Sequence, residues 1–372
     1  MKESSVKRRI FELDLLRGIF IAIIFIDHLQ FWPSPLRYVT GEGRLWVSAA
    51  EGFFLISGLL IGYIRAYKGK KYPLKDLSIK LWKRAGMLYV WGVIVTIYIV
   101  LFSLWVGGPQ VHPLLPRLPD PSQLSSPFTF IVSVITTSFF ADWIYFLRLY
   151  AIMLAVTPLF LWLVRRKKDW IIILLMIISF ALSFLWPEGA LQWQVLFFGA
   201  ALIGYRLESI AAWLRKRPII KYSLTWTAIL ITIITMIISY FFVLGWPLVE
   251  RPENAVMTRE QYISLRTVID PWFTSSPMSI GRLILSFIWF SAMLLFLHAL
   301  RPFIMRWFGW LLIPMGERSL SYYILQALLL PIVVTFLQPS TIPIINAAIA
   351  IGLLLGMWAL LKIPILSRNI PR

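Results

Sequence analysis

The stretch LDLLRGIFIAIIFIDH, residues 13–28, places ionisable side chains inside a long hydrophobic segment. Charged and titratable groups are costly in the hydrocarbon core of a membrane, so Arg17 and His28 are candidates for a functional site. Eleven residue steps separate them, just over three helical turns, so a helix would place both on one face, about 16 Å apart. Asp14 falls on the same face, whereas Asp27 points about 100° away from His28.

The whole chain has the composition of a membrane protein. Its 372 residues are 59% hydrophobic and 14% charged, with a mean hydropathy of +0.78, and the apolar runs repeatedly reach the length that spans hydrocarbon. We predict an all-α, polytopic integral-membrane helix bundle that forms a single domain over residues 1–372, with about ten transmembrane helices. The predicted spans are residues 10–31, 46–64, 86–106, 147–164, 170–186, 191–210, 222–246, 281–300, 318–337 and 342–362.

The basic residues that give the chain its net charge of +19 indicate how it is oriented in the membrane. A nucleic-acid partner requires basic residues clustered on one accessible face, and here they fall between hydrophobic segments. Most lysines and arginines lie on one side if Lys7-Arg8-Arg9, residues 65–84 and residues 165–168 are cytoplasmic, as the positive-inside rule requires. We therefore predict a multi-pass protein of the plasma (inner) membrane with both termini in the cytoplasm and no nucleic-acid partner.

Three stretches lie between the spans and have different characters. Residues 107–127 are rich in proline and predict an irregular outer loop. Residues 247–280 carry charged side chains, among them Arg251 and Glu253, and predict a second outer loop. Residues 128–143 are apolar, but a full crossing there would place the basic run at residues 165–168 on the wrong side. We predict a re-entrant or interfacial segment.

The residue types that are rare in the chain exclude several chemistries. The absence of cysteine excludes disulfides, thiolate metal sites and cysteine nucleophiles. The three histidines are far apart in the sequence, so we predict no metal site. No motif predicts a tightly bound cofactor. Lipid-facing and partner-facing apolar surfaces have the same composition, so the sequence makes no prediction of oligomeric state.

The second hydrophobic segment combines an acid with a helix-packing motif. In AEGFFLISGLLIG, residues 50–62, Gly58 and Gly62 form a small-xxx-small face for close helix contact, and Glu51 lies two turns before Gly58 on that face. This helix descends where the first ascends, so we expect Glu51 and His28 at similar depth, with the carboxylate orienting the imidazole as a general base. The alternative is a buried ion pair that only joins two helices.

Six motifs follow one another along the chain. They are LDLLRG, the arginine–histidine spacing, AEGFF with the following Ser-Gly, LY through TPLFLW at residues 149–162, WQVLFFG at 193–199 and GERSL at 316–320. In this order they resemble the OpgC family, which belongs with the broader acyltransferase 3 membrane enzymes, and the resemblance covers roughly residues 10–330. One position departs from the family pattern, because Gln326 stands where many relatives carry a histidine, so no role is carried over to it.

The resemblance implies an enzyme that moves an acyl group from cytoplasmic acyl-CoA to a hydroxyl on an extracytoplasmic glycan, which in OpgC-like proteins is succinylation of periplasmic glucans. Succinyl-CoA or acetyl-CoA would be the co-substrate. Arg17, with Asp14, would hold part of the donor near the inner side, and the thioester would reach toward His28. Direct attack by the acceptor and a covalent acyl-histidine intermediate both remain open.

Four further residues, Asp27, Gln194, Arg318 and Ser319, are candidates for oxyanion or substrate contacts. For Gln194 the alternative is an ordinary structural role. Gln194 would form a packing hydrogen bond. At the level of the whole protein, the alternative function is a proton-coupled membrane transporter, and a non-catalytic membrane scaffold is a third possibility.

Overall fold

The computed structural model describes residues 11–250 and 257–371, and it is built from helices, as predicted. The basic run Lys7-Arg8-Arg9 and the loop residues Arg251 and Glu253 lie outside the described residues. The α-helices are α1 (Phe11–Leu29), α2 (Arg37–Thr40), α3 (Ala49–Leu60), α4 (Leu74–Trp105), α5 (Pro127–Ile135), α6 (Tyr145–Arg165), α7 (Asp169–Leu182), α8 (Gly189–Arg215), α9 (Pro218–Leu244), α10 (Trp246–Glu250), α11 (Arg259–Ile269), α12 (Ile280–Trp307), α13 (Gly309–Glu317), α14 (Ser319–Phe336), α15 (Pro343–Leu360) and α16 (Pro364–Asn369).

Eight helices in the described part of the chain are long and apolar enough to cross a membrane, two fewer than the sequence predicts. The other two predicted spans are helices of a different kind. α7 has only 14 residues, so it is about 21 Å long and falls short of a hydrocarbon core of about 30 Å. α1 has 19 residues, but they include the ionisable groups of Glu12, Asp14, Arg17 and Asp27, more than a simple lipid-exposed span tolerates.

The remaining predicted spans correspond to helices with shifted ends. The largest shift is in α4, which begins at Leu74 where the prediction placed residue 86, so the basic residues before the apolar run are already helical. α3 continues through a π-helical segment, Ile61–Tyr67, and a short 3₁₀ turn, Lys68–Lys71. The chain between α12 and α14 is also helical. It forms α13, which packs along α1.

The segment predicted to be re-entrant or interfacial contains α5, whose nine residues are about 13 Å long and cannot cross a membrane. Ser126 begins this helix by a reciprocal capping interaction with Thr129. A single 3₁₀ turn, Asp142–Ile144, then leads into α6. The preceding stretch, residues 106–126, consists of turns and irregular backbone, in agreement with the predicted proline-rich loop.

The predicted small-residue face on the second span is the contact between α3 and α8. A Cβ atom on Gly58 would lie 2.0 Å from the carbonyl oxygen of Phe197, and one on Gly62 would lie 1.9 Å from that of Ala201. Only glycine allows such an approach of two backbones, so these positions set the distance between the helices. The contact holds the α3 residues Phe53 and Phe54 inside the bundle, where both are buried.

Candidate active site

Arg17 is held inside the bundle by a hydrogen bond to Ser319. Its Nη2 donates to the Ser319 Oγ at 2.7 Å, and Ser319 is 1% exposed. The guanidinium also lies over the ring of Phe53, at 5.6 Å from the ring centroid. Asp14, one turn earlier in α1, is close enough to interact electrostatically with Arg17. The structure thus brings together three of the predicted site residues and a residue of the AEGFF motif.

Two glycines bring the LDLLRG and GERSL motifs into contact. A Cβ atom on Gly316 would lie 1.7 Å from the Asp14 carbonyl oxygen, and one on Gly18 would lie 2.1 Å from the Leu312 carbonyl oxygen. α1 and α13 therefore cross with their backbones touching. Because Ser319 follows Gly316 by three residues, this contact places its hydroxyl next to the guanidinium of Arg17.

Replacing Gly316 with alanine is expected to lower the stability of the protein. The added methyl group overlaps the α1 backbone, and overpacking of this kind typically costs about 1–3 kcal/mol. The measurement is the melting temperature of the purified protein in detergent. Gly356→Ala in α15 is the matched control, because a Cβ atom there meets nothing within 4 Å. Equal melting temperatures for the two variants would contradict the role assigned to the contact.

A small cavity lies beside Arg17 and contains a second guanidinium, that of Arg84 in α4. Its volume of about 10 Å³ admits roughly one water molecule. The Arg84 Nε is buried and has no hydrogen-bond partner among the described residues. The lining residues are Arg17, Ile24, Phe53, Arg84, Phe146, Tyr150, Ser319, Leu320 and Tyr323. The cavity is therefore cationic and aromatic.

Arg84 was not among the predicted site residues, because residues 65–84 were predicted to be a cytoplasmic loop. Because α4 begins at Leu74, Arg84 lies in the third turn of a helix and not in a loop. The Leu77, Leu81 and Leu88 side chains are buried on this part of α4. Their helical spacing ahead of the apolar run was the available signal.

His28 lies on the predicted face of α1, since the helix is continuous from Phe11 to Leu29. Ile24 lines the cavity and is one turn before His28, so the cavity wall reaches to about 6 Å along the axis from the histidine. The His28 Nδ1 is buried and has no hydrogen-bond partner among the described residues. The Nδ1 of the imidazole is thus not engaged by another described residue.

Glu51 does not orient His28, contrary to the prediction. Its Oε1 accepts from the Arg282 Nε at 2.7 Å, and its Oε2 accepts from the backbone N–H and the hydroxyl of Ser48, at 2.8 and 2.6 Å. The carboxylate is fully buried, and both oxygens are engaged. A Cβ atom on the adjacent Gly52 would lie 2.2 Å from the Phe20 ring, so α3 meets α1 near Phe20, well before His28.

Two sequence signals point to this arrangement. The pattern Ser48-Ala-Ala-Glu51 is a capping box, in which serine and acid satisfy each other at a helix start, and the structure contains it. Arg282 is an ionised residue in a predicted span, which requires a buried partner. Its Nη1 also donates to the carbonyl oxygens of Leu45 and Phe273, both at 3.2 Å. Arg282 therefore joins the start of α3 to two connecting segments.

The other three candidates lie elsewhere. Gln194 donates to the Met176 carbonyl oxygen at 3.0 Å and lines an apolar cavity of about 270 Å³ between α6, α7 and α8, as a packing residue would. Arg318 donates to the Leu361 carbonyl oxygen at 3.3 Å, at the end of α15. The Asp27 carboxylate faces the turn after α2, where a Cβ atom on Gly43 would lie 3.4 Å from it. None of the three lines the Arg17 cavity.

Fold and site together define a polytopic helical membrane protein with a cationic cavity inside the bundle. The chain belongs to the OpgC family, since the family model described as OpgC protein matches residues 9–365. Membership implies a membrane acyltransferase that modifies glucans. No match was found among curated proteins or among solved structures. In the part of the chain that the structure describes, no cluster of three or more histidine or acidic side chains is placed to hold a metal ion.

Proposed function

We propose that this protein is an O-acyltransferase of the plasma (inner) membrane. It transfers a succinyl or acetyl group from cytoplasmic acyl-CoA to a hydroxyl of an extracytoplasmic glycan. The observation that carries the proposal is the guanidinium of Arg17, which donates to Ser319 and shares a small cavity with Arg84 and with Ile24, one turn before His28. The family supplies the class of reaction.

The donor site follows from the charge of the cavity. Acyl-CoA is a polyanion, and guanidinium groups bind phosphate and carboxylate in a forked geometry. Arg17 and Arg84 are the cations of the cavity, and Tyr150 and Tyr323 add hydroxyl groups to its wall. The rings of Phe53 and Phe146 line the cavity and pack edge to face, with their centroids 5.3 Å apart. Donor binding would require these rings to move, so that the thin pantetheine arm passes along α1.

His28 would take the proton of the acceptor hydroxyl. The hydroxyl oxygen then bonds to the thioester carbon, the carbon–sulfur bond breaks, and CoA leaves as a thiol with the proton carried by the imidazole. In the alternative within the same class, the imidazole attacks the thioester first and the acyl group passes from histidine to the acceptor. Asp27, at the same end of α1, would contact the acceptor.

Replacing Arg17 or Arg84 with glutamine is expected to raise the KM for acyl-CoA by about tenfold or more, since hydrogen bonds to charged groups contribute about 1.5–3 kcal/mol. The measurement is acyl transfer to gluco-oligosaccharides by purified protein in liposomes, with succinyl-CoA and acetyl-CoA compared. Lys83→Gln is the matched control, because Lys83 is an exposed cation beside Arg84. Uptake of substrate into the liposomes without acylation would instead support a transporter.

A further inference from the structure

The side-chain amide of Gln326 is buried in the middle of α14 without a hydrogen-bond partner. The residue is 0% exposed, and neither its Nε2 nor its Oε1 bonds to any described residue. Buried polar groups are almost always paired, because an unpaired amide lowers the stability of the folded protein. A leucine or methionine would fill the same space without that cost. Packing therefore does not explain why a glutamine occupies this position.

The position of Gln326 follows from helix geometry. Seven residue steps, about two helical turns, lead from Ser319 to Gln326, so both lie on one face of α14 and about 10 Å apart along the axis. Tyr323, one turn before Gln326 on that side, lines the cavity beside Arg17. Gln326 thus lies on the same side of α14 as the cavity-lining Ser319 and Tyr323, about one turn further from Arg17 than Tyr323.

α14 runs in the same direction as α1, toward the end that carries His28. After α14 the chain turns into α15, and Asn346 near the start of α15 donates to the Pro33 carbonyl oxygen, a few residues beyond the end of α1. Ser319 bonds to Arg17 at the opposite end. Because α1 and α14 pack together in parallel, Gln326 lies at a depth between Arg17 and His28.

We propose that Gln326 is a catalytic residue that donates its Nε2–H to the carbonyl oxygen of the thioester. This inference rests on the proposed function. When the acceptor oxygen bonds to the thioester carbon, the carbonyl oxygen becomes negatively charged, and the hydroxyl proton passes to His28. The carbon–sulfur bond then breaks and the negative charge returns to a carbonyl double bond. A preorganised amide in a dry site stabilises that oxygen where the charge develops, and it needs no other partner in the resting protein.

Gln326→Met tests the proposal, because methionine has a similar shape and no donor. We expect kcat to fall by about 10²–10³-fold with little change in the KM for acyl-CoA, the effect of removing one oxyanion donor. The melting temperature should stay the same or rise, since the unpaired amide is gone. If Gln326 were needed only for structure, the Gln326→Met variant would not lose kcat while its melting temperature stays the same or rises.

The matched control is Thr335→Val in the same helix. The Thr335 hydroxyl is also buried without a partner, and nine residue steps place it on the opposite face of α14 from Gln326. This variant should keep the wild-type kcat. Normal kcat in Gln326→Met would overturn the proposal alone, whereas a wild-type protein without acyltransferase activity would overturn the proposed function as well. If the methionine variant does not fold, Gln326→Leu repeats the test with a different apolar shape.

Discussion

Replacing His28 with alanine is expected to reduce acyl transfer by about 10²–10⁴-fold, the contribution of a positioned general base. The KM for acyl-CoA should change little, because Arg17 lies about 16 Å away along α1 and its bond to Ser319 is independent of the histidine. The measurement is the steady-state rate with saturating acyl-CoA and acceptor. It is made on a variant whose melting temperature equals that of the wild-type protein. A variant that transfers at the wild-type rate would remove His28 from the chemistry.

His298→Ala is the control for this experiment. His298 lies on α12, its side chain is 74% exposed, and it pairs with Glu12 at 3.2 Å, outside the cavity. The same substitution there should leave the rate unchanged. Incubating the wild-type protein with acyl-CoA in the absence of acceptor separates the two mechanisms. A mass increase on the peptide that contains His28 indicates an acyl-histidine intermediate, and its absence supports direct attack.

The sequence was most informative where one helix carries the whole pattern. The face shared by Arg17 and His28 needs only the period of an α-helix, and α1 is a continuous helix. The burial of Glu51 and the packing of Gly58 follow from the same period in α3, and the structure confirms both. Local periodicity therefore predicted which side chains point into the bundle.

Partners on different helices were harder to predict. The similar depth expected for Glu51 and His28 rested on the opposite directions of the first two spans, but α3 begins only at Ala49, after α2 and a 3₁₀ turn. This offset brings Glu51 to Arg282, 231 positions away in the sequence, and leaves His28 without the expected carboxylate. Similarly, the early start of α4 moved Arg84 from a loop into the cavity. The capping box at Ser48 and the leucine spacing in α4 indicate where these two helices begin, but no local pattern encodes which residue of another helix each one meets.

Removing either partner of the Glu51–Arg282 pair is expected to destabilise the protein strongly. The two side chains are 0% and 7% exposed, and a buried charge that loses its partner typically costs about 3–5 kcal/mol. Glu51→Leu should leave the guanidinium uncompensated, and Arg282→Met should leave the carboxylate. The measurement is the free energy of unfolding or the melting temperature in detergent. A loss below about 1 kcal/mol for both variants would mean that the pair is not a structural element.

The double variant Glu51→Leu/Arg282→Met distinguishes a structural from a catalytic carboxylate. Replacing both partners removes the uncompensated charge, so the double variant should be more stable than either single one. Recovery should be incomplete, because Arg282 also donates to the carbonyl oxygens of Leu45 and Phe273. If Glu51 only joins α3 to α12, the folded double variant transfers acyl groups. A double variant that folds and stays inactive would instead show that Glu51 acts in the reaction.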